Sequence, residues 1–358
     1  MTSSAPGSVC ADDANDGAAI PMSGWAFWIH AVRPVVELVK LAQLAEDLGA
    51  AALLVADEGT DRDLYVTLTA VAVATQHIVL VPAITNPHSR HPVATAAALA
   101  SLEELAPNRV IAGLGAGGSL VFDPMGIRPA RPFSALSEAV DVIDRLLGGE
   151  VVDHQGQFSA SRAAIGWSRR RLPIAVAGRG PRVEQLAAER ADWVILSGKA
   201  VAEVPSLVSR LRSGHPGRPA VIWNPGAAWR PEHVNEIRSH FAYMTVDTPP
   251  DERRALGVTD EQVAHLREVV HRDGPEAAAH LVPDQITHRY AIIGDRDAVT
   301  ARLAEVQQTV RPELVAFGAH EYSADFVKET DEIARRAGIG SLVAGELLAP
   351  AKSDRRPL

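Results

Sequence analysis

From residue 25 onward, short apolar runs alternate with stretches whose apolar residues recur at helical spacing. The runs at 25–30, 51–56, 78–84, 109–114, 172–177, 193–196, 220–223 and 314–317 read as strands of parallel βαβ units. After the first of them, Val36, Val39, Leu41, Leu44, Ala45 and Leu48 share one helical face, and Gly49 follows as a stop. Similar helices are predicted at 65–74, 93–105, 134–147, 182–189 and 201–211. Eight parallel strands with intervening helices close into a (β/α)8 TIM barrel of the α/β class. Such barrels take about 250 residues, so a chain of 358 carries additional segments.

Two insertions account for the excess. Residues 148–171 contain VVDHQGQFS, which reads as a hairpin turning at Gln155 and Gly156. Residues 227–290 join the seventh strand to the eighth and carry helical patterns at 233–243 and 260–272. Because this segment leaves a strand's C-terminal end, it is expected to lie over the barrel mouth as a lid and to set substrate choice. One barrel domain is expected over 23–340, with a flexible N-terminal tail at 1–22 and a C-terminal tail at 341–358.

Composition narrows the function classes. With 47% hydrophobic and 22% charged residues the chain reads as an ordinary soluble globular protein. A net charge of -9 without a basic stripe excludes the electrostatic footprint of a nucleic-acid binder. Thr75, Gln76 and His77 interrupt the most apolar region, 70–84, so no membrane span is expected. The first 22 residues lack the charged start and apolar middle of a secretory signal, and the expected location is the cytoplasm. Cys10 is the single cysteine, the histidines are scattered, and neither HxxxH nor HExxH occurs, so no metal site is expected. GxSxG is absent as well.

Chemistry is expected where strands end. VPAITNPHSRHP (81–92) runs from an apolar strand through a polar turn into a helix, with more polar groups than a structural loop needs. GLGAG (113–117) removes side chains from the fourth strand's end, so a flat ring could approach the backbone there. In AGRGP (177–181), Gly178 and Gly180 expose backbone N–H groups, Pro181 suits a first helical turn and Arg179 adds a positive charge, a combination that suits phosphate. SGK (197–199) places a hydroxyl, a flexible residue and a cation at the next strand end. His30 and the pair Asp57 and Glu58 stand at the first two strand ends, where either type of group can exchange a proton with a substrate or simply be solvated.

DRDLYVTLTA (61–70) after Asp57, ITNPHSRHP (84–92), GLGAG, AGRGP and ADWVILSG (191–198) together resemble the bacterial luciferase-like superfamily. The nearest likeness is to its branch that uses the deazaflavin coenzyme F420, the methylenetetrahydromethanopterin reductases in particular. That resemblance implies a non-prolyl cis peptide at Ala83–Ile84 under the coenzyme ring. Asp57 and Asn86 would contact the ring, with Gly115, Ala116, Gly117 and Gly118 lining its other side. The coenzyme phosphate would fall on Ala177, Gly178, Arg179, Gly180 and Pro181, near Ser197 and Gly198. Family members often carry His after the strand-two Asp and an acid after GxG, where this chain has Glu58 and Gly118. Glu58 is therefore the first candidate for proton handling and His30 the second. The resemblance implies an oxidoreductase transferring hydride between the deazaflavin C5 and a C=C or C=N bond of a small molecule. An FMN-dependent monooxygenase using oxygen and a non-catalytic cofactor-binding barrel are the rival expectations. The apolar helices at 65–74 and 93–105 offer a surface for a homodimer.

Overall fold

Runs of Val, Ile, Leu and Ala without polar interruption form strands covered on both faces. In the computed structural model these are β1 (Gly24–Ile29), β2 (Ala52–Val55), β3 (Val79–Pro82), β4 (Ala112–Gly115), β5 (Ile174–Ala177), β6 (Trp193–Leu196), β7 (Ala220–Trp223) and β8 (Leu314–Gly318). They pair in parallel in the order β3-β2-β1-β8-β7-β6-β5-β4. Bridges Leu80–Val110 and Thr85–Leu114 join β3 to β4 and bring the ends of the sheet together as a nearly closed barrel. The residues described are 23–168, 170–213, 219–248 and 250–340; the two expected tails, with Cys10, lie outside them.

Side chains alternate across each strand. Ala26, Leu54, Val81, Ile111, Ile195 and Ile222 fill the barrel interior. Phe27, Leu53, Leu80, Val176, Val194 and Val315 point outward to the helical layer. That layer begins with α1 (Val35–Asp47), α2 (Leu64–Ala74), α3 (Pro92–Leu105), α4 (Ser119–Met125), α5 (Pro132–Leu147), α6 (Pro181–Arg190) and α7 (Val204–Arg212). The helix expected from residue 201 starts with a single 3-10 turn, Val201–Glu203, and α7 follows. Pro205 lacks an N–H to donate and suits the first turn, which explains the displaced start.

Between β7 and β8 the chain builds α8 (Pro231–Asp247), α9 (Pro250–Ala255), α10 (Asp260–Asp273), α11 (Pro275–Ala278) and α12 (Asp284–Tyr290). Ile237, Phe241, Leu266, Val270 and Ile286 give these helices an apolar cluster of their own. Helices α13 (Arg296–Val310) and α14 (Ala324–Arg336) flank β8. Between α5 and β5, Val152–Gln155 pairs antiparallel with Ser159–Ala163.

The α2–β3 connection is held from both sides. The Glu46 carboxylate accepts from the N–H groups of Gln76, His77 and Ile78 at 2.6–3.1 Å. Burial pushes its pKa up, but these donors and the nearby His77 leave it below the usual range. The Arg109 guanidinium donates to the carbonyls of Ala72, Thr75 and Ile78 and to Thr75 Oγ1 at 3.0–3.1 Å. Helix α2 thus has carbonyls at its C-terminal end satisfied by a side chain from the segment that leads into β4.

Candidate active site at the barrel mouth

Parallel pairing brings the C-terminal ends of β3, β4 and β5 side by side. Thr85 N donates to Gly113 O and Gly115 N to Thr85 O, both at 3.1 Å, while Gly115 pairs with Ala177 across β4 and β5. The Ala83–Ile84 peptide is cis, at the position the resemblance implied.

The glycines of β4 serve close packing of protein on protein. A Cβ at Gly113 would lie 1.8 Å from the Pro82 carbonyl oxygen, and one at Gly115 1.8 Å from Ile84 Cδ1. At Gly117, where φ is +76°, it would meet the Phe122 ring at 2.2 Å. The side-chain space at these three positions is thus filled by neighbours, although the backbone of 115–118 stays on the rim. Asn86 is also engaged within its own loop: Oδ1 accepts from His88 N at 3.0 Å and Ser89 N at 2.9 Å, and Nδ2 donates to Ser89 Oγ. Close by, His88 Nε2 and Ser119 Oγ are buried without a protein partner, a pattern that marks ground for a polar ligand.

At the end of β5, Gly180 caps α6, and a Cβ placed there would have nothing within 4 Å. The N-terminus of this ten-residue helix therefore opens on free space. Its cations are held at the sides. Lys199 Nζ donates to Arg179 O and Glu184 Oε1, both at 2.5 Å. Arg179 Nη1 reaches Thr248 Oγ1 at 3.1 Å and Met244 O at 3.4 Å, and burial lowers its pKa. Ser197 stays exposed, whereas Gly198 lies beneath Met244.

Helix α8 spans the mouth. Near its C-terminus, Asp247 Oδ2 accepts from Ser119 N at 3.2 Å. Near its middle, the His240 ring meets the His30 ring edge-on at a centroid distance of 4.6 Å. His30 Nδ1 in turn lies 3.4 Å from Glu58 Oε1. Burial would raise the Glu58 carboxyl, but the His30 imidazole, and His240 to a lesser extent, hold it below the usual carboxylate range. Protein packed around the His240 ring desolvates it and lowers its pKa to about 4, although the residue keeps exposed surface on its solvent side. The Tyr322 hydroxyl fixes His30 by accepting from its N–H at 2.9 Å and donating to its C=O at 2.8 Å. Beside Glu58, burial lifts Asp57 to about 6 against the opposing Gly59 N–H and Arg90 charge.

His30 and Glu58 were legible as strand-end residues. His240, Met244, Asp247, Thr248 and Tyr322 were not, because a helical pattern in an insertion does not say which rim it rests on. Elsewhere on α8, His233 is buried and stacked against His320, with centroids 5.2 Å apart. Burial lowers both, His320 to about 3. Unfolding frees these imidazoles to protonate, so their contribution to stability is complete above about pH 6.5 and is lost as pH falls towards 3. His320 alone should cost on the order of 1 kcal/mol between pH 7 and 5.5. Urea midpoints at the two pH values, with His320→Gln showing a smaller drop than wild type, check this.

Residues 19–311 match the luciferase-like monooxygenase family. The chain belongs to that family. Among its relatives, the 5,10-methylenetetrahydromethanopterin reductase of Archaeoglobus fulgidus is 27% identical over 294 residues, 78% of this chain and 89% of that protein. The F420-dependent glucose-6-phosphate dehydrogenase of Nakamurella multipartita is 31% identical over 194 residues, 50% of this chain and 57% of that one. In fold, the F420-dependent tetrahydromethanopterin reductase of Methanopyrus kandleri superposes with a TM-score of 0.73 at 21% identity, covering 87% of this chain and 98% of its own. An F420-dependent secondary alcohol dehydrogenase in complex with an F420-acetone adduct gives a TM-score of 0.70 at 17% identity, over 88% and 99%. As in these luciferase-like relatives, the fold is a TIM barrel. Among the described residues, no helix is long and apolar enough to cross a membrane.

Proposed function

We propose that this luciferase-like protein is an F420-dependent oxidoreductase acting on a C=C or C=N bond of a small molecule. Its likeness to an F420-dependent glucose-6-phosphate dehydrogenase and to an F420-dependent tetrahydromethanopterin reductase supports the coenzyme. The observation that carries the reading is the open helix start at Gly180, beside rim loops where Ser119 Oγ and His88 Nε2 lack partners. Bound there, the coenzyme supplies a carbon that gives or takes a hydride. The chain's part is to place and polarise. The N-terminus of α6 would receive the phosphate, and the backbone of 115–118 together with the Ala83–Ile84 step would hold the ring system. Asp57 would sit at the ring's polar edge. His30 Nδ1 and Glu58 Oε1, 3.4 Å apart, would together serve as the proton-handling pair towards the substrate.

Purified protein should quench the fluorescence of F420 at micromolar concentrations. Gly180→Asp has room to fold, yet it sets a carboxylate where the phosphate would lie. Like-charge juxtaposition costs several kcal/mol, so coenzyme affinity should fall by about 100-fold or more with the unfolding midpoint unchanged. Unaltered binding by Gly180→Asp would remove the phosphate assignment, and absence of any quenching would remove the coenzyme. The family match to luciferase-like monooxygenases keeps a second reading, reduced FMN with oxygen, and turnover that requires oxygen would select it.

A further inference from the structure

Three metal-ligating groups from distant parts of the chain meet at the mouth. His30 leaves β1, Glu58 follows β2, and His240 is presented by α8. One ligand atom of each lies within 4.8 Å of the other two. We propose that His30, Glu58 and His240 form a binding site for a divalent transition-metal cation of the zinc class, with a further position open to an oxygen ligand.

Geometry favours a cation over a plain hydrogen-bonded pair. A tetrahedral ion with bonds of about 2.0–2.1 Å holds its ligand atoms roughly 3.4 Å apart. The His30 Nδ1 to Glu58 Oε1 separation is 3.4 Å, whereas a charge-assisted hydrogen bond draws N and O to about 2.7–2.9 Å. Two imidazoles and one carboxylate are a ligand set that zinc takes when it keeps a position free. The His30 backbone is fixed on both its N–H and C=O by Tyr322, so the first ligand is placed beforehand. His240 retains exposed surface, which gives an ion a route in from solvent.

The surroundings attract positive charge. Glu236, one turn before His240 on α8, acts electrostatically on His30, and Asp61 on both Glu58 and His30. Arg62, the nearby cation, spends one guanidinium nitrogen on the Val32 carbonyl. An ion on these ligands would link α8 to the ends of β1 and β2 and fasten the insertion over the mouth. It would also occupy the two groups proposed above for proton handling, so a metal-loaded chain should transfer hydride more slowly.

The test needs no coenzyme, so its outcome is independent of the F420 reading. Full-length protein, stripped with chelator and dialysed, is titrated with Co2+ by visible absorption and with Zn2+ by equilibrium dialysis. One ion per chain is expected, with d–d bands of a low-coordinate site. Zn2+ should raise the unfolding midpoint. His240→Gln and Glu58→Gln should each weaken Zn2+ binding by about 100-fold and abolish that rise, while His271→Ala and Cys10→Ser leave both intact. No stoichiometric binding, binding unchanged in both ligand variants, or binding lost with Cys10→Ser overturns the proposal.

Discussion

Glu58→Gln should lower the rate of hydride transfer by about 10²- to 10⁴-fold, the range expected when a positioned acid–base group is removed. Gln keeps the shape and one acceptor oxygen, so the loop after β2 should remain folded. What it removes is the negative charge facing His30 Nδ1 at 3.4 Å. Without that partner the imidazole is neither oriented nor stabilised when it carries a proton, and the cost falls on the step in which a proton moves. The KM for coenzyme should change only a few-fold, because Glu58 lies at the ends of β1 and β2, away from the helix start at Gly180. Steady-state kinetics with both substrates varied separate these effects. Full turnover in Glu58→Gln clears this residue of the role. A raised KM with kcat unchanged assigns it to binding instead.

Arg109→Ala is expected to destabilise the barrel by about 3 to 5 kcal/mol, as when one member of a buried charged network is deleted. The guanidinium makes four hydrogen bonds to groups at the end of α2 and the start of β3. Ala leaves buried carbonyls of Ala72, Thr75 and Ile78 unanswered, and each such group costs about 1–3 kcal/mol. Arg109→Lys should recover a minor part, since an ammonium has no planar fork to span three carbonyls. Urea unfolding followed by circular dichroism measures both variants, and a loss below about 1 kcal/mol for Ala contradicts the account.

The barrel was legible because strand runs without polar breaks, separated by helical spacing, admit few other closures. The polar density of 81–92 was legible too, and in the fold part of it is spent inside the loop, where the Asn86 side chain ties His88 and Ser89. The glycines of GLGAG were read as room for a ring. In the fold they admit the Pro82 carbonyl, the Ile84 side chain and the Phe122 ring. Sequence shows that a side chain is missing, not which neighbour fills its place. Arg109 read as the first residue of a strand, although β4 begins at Ala112 and Arg109 caps a helix. The meeting of residues 30, 58 and 240 was beyond periodicity and spacing, because only the path of α8 across the mouth puts the third beside the first two.

The insertion's helices satisfy most of their apolar surface among themselves, around Ile237, Phe241, Leu266 and Ile286. Substitutions on the outer faces of these helices can therefore accumulate without disturbing the packing of the eight strands beneath.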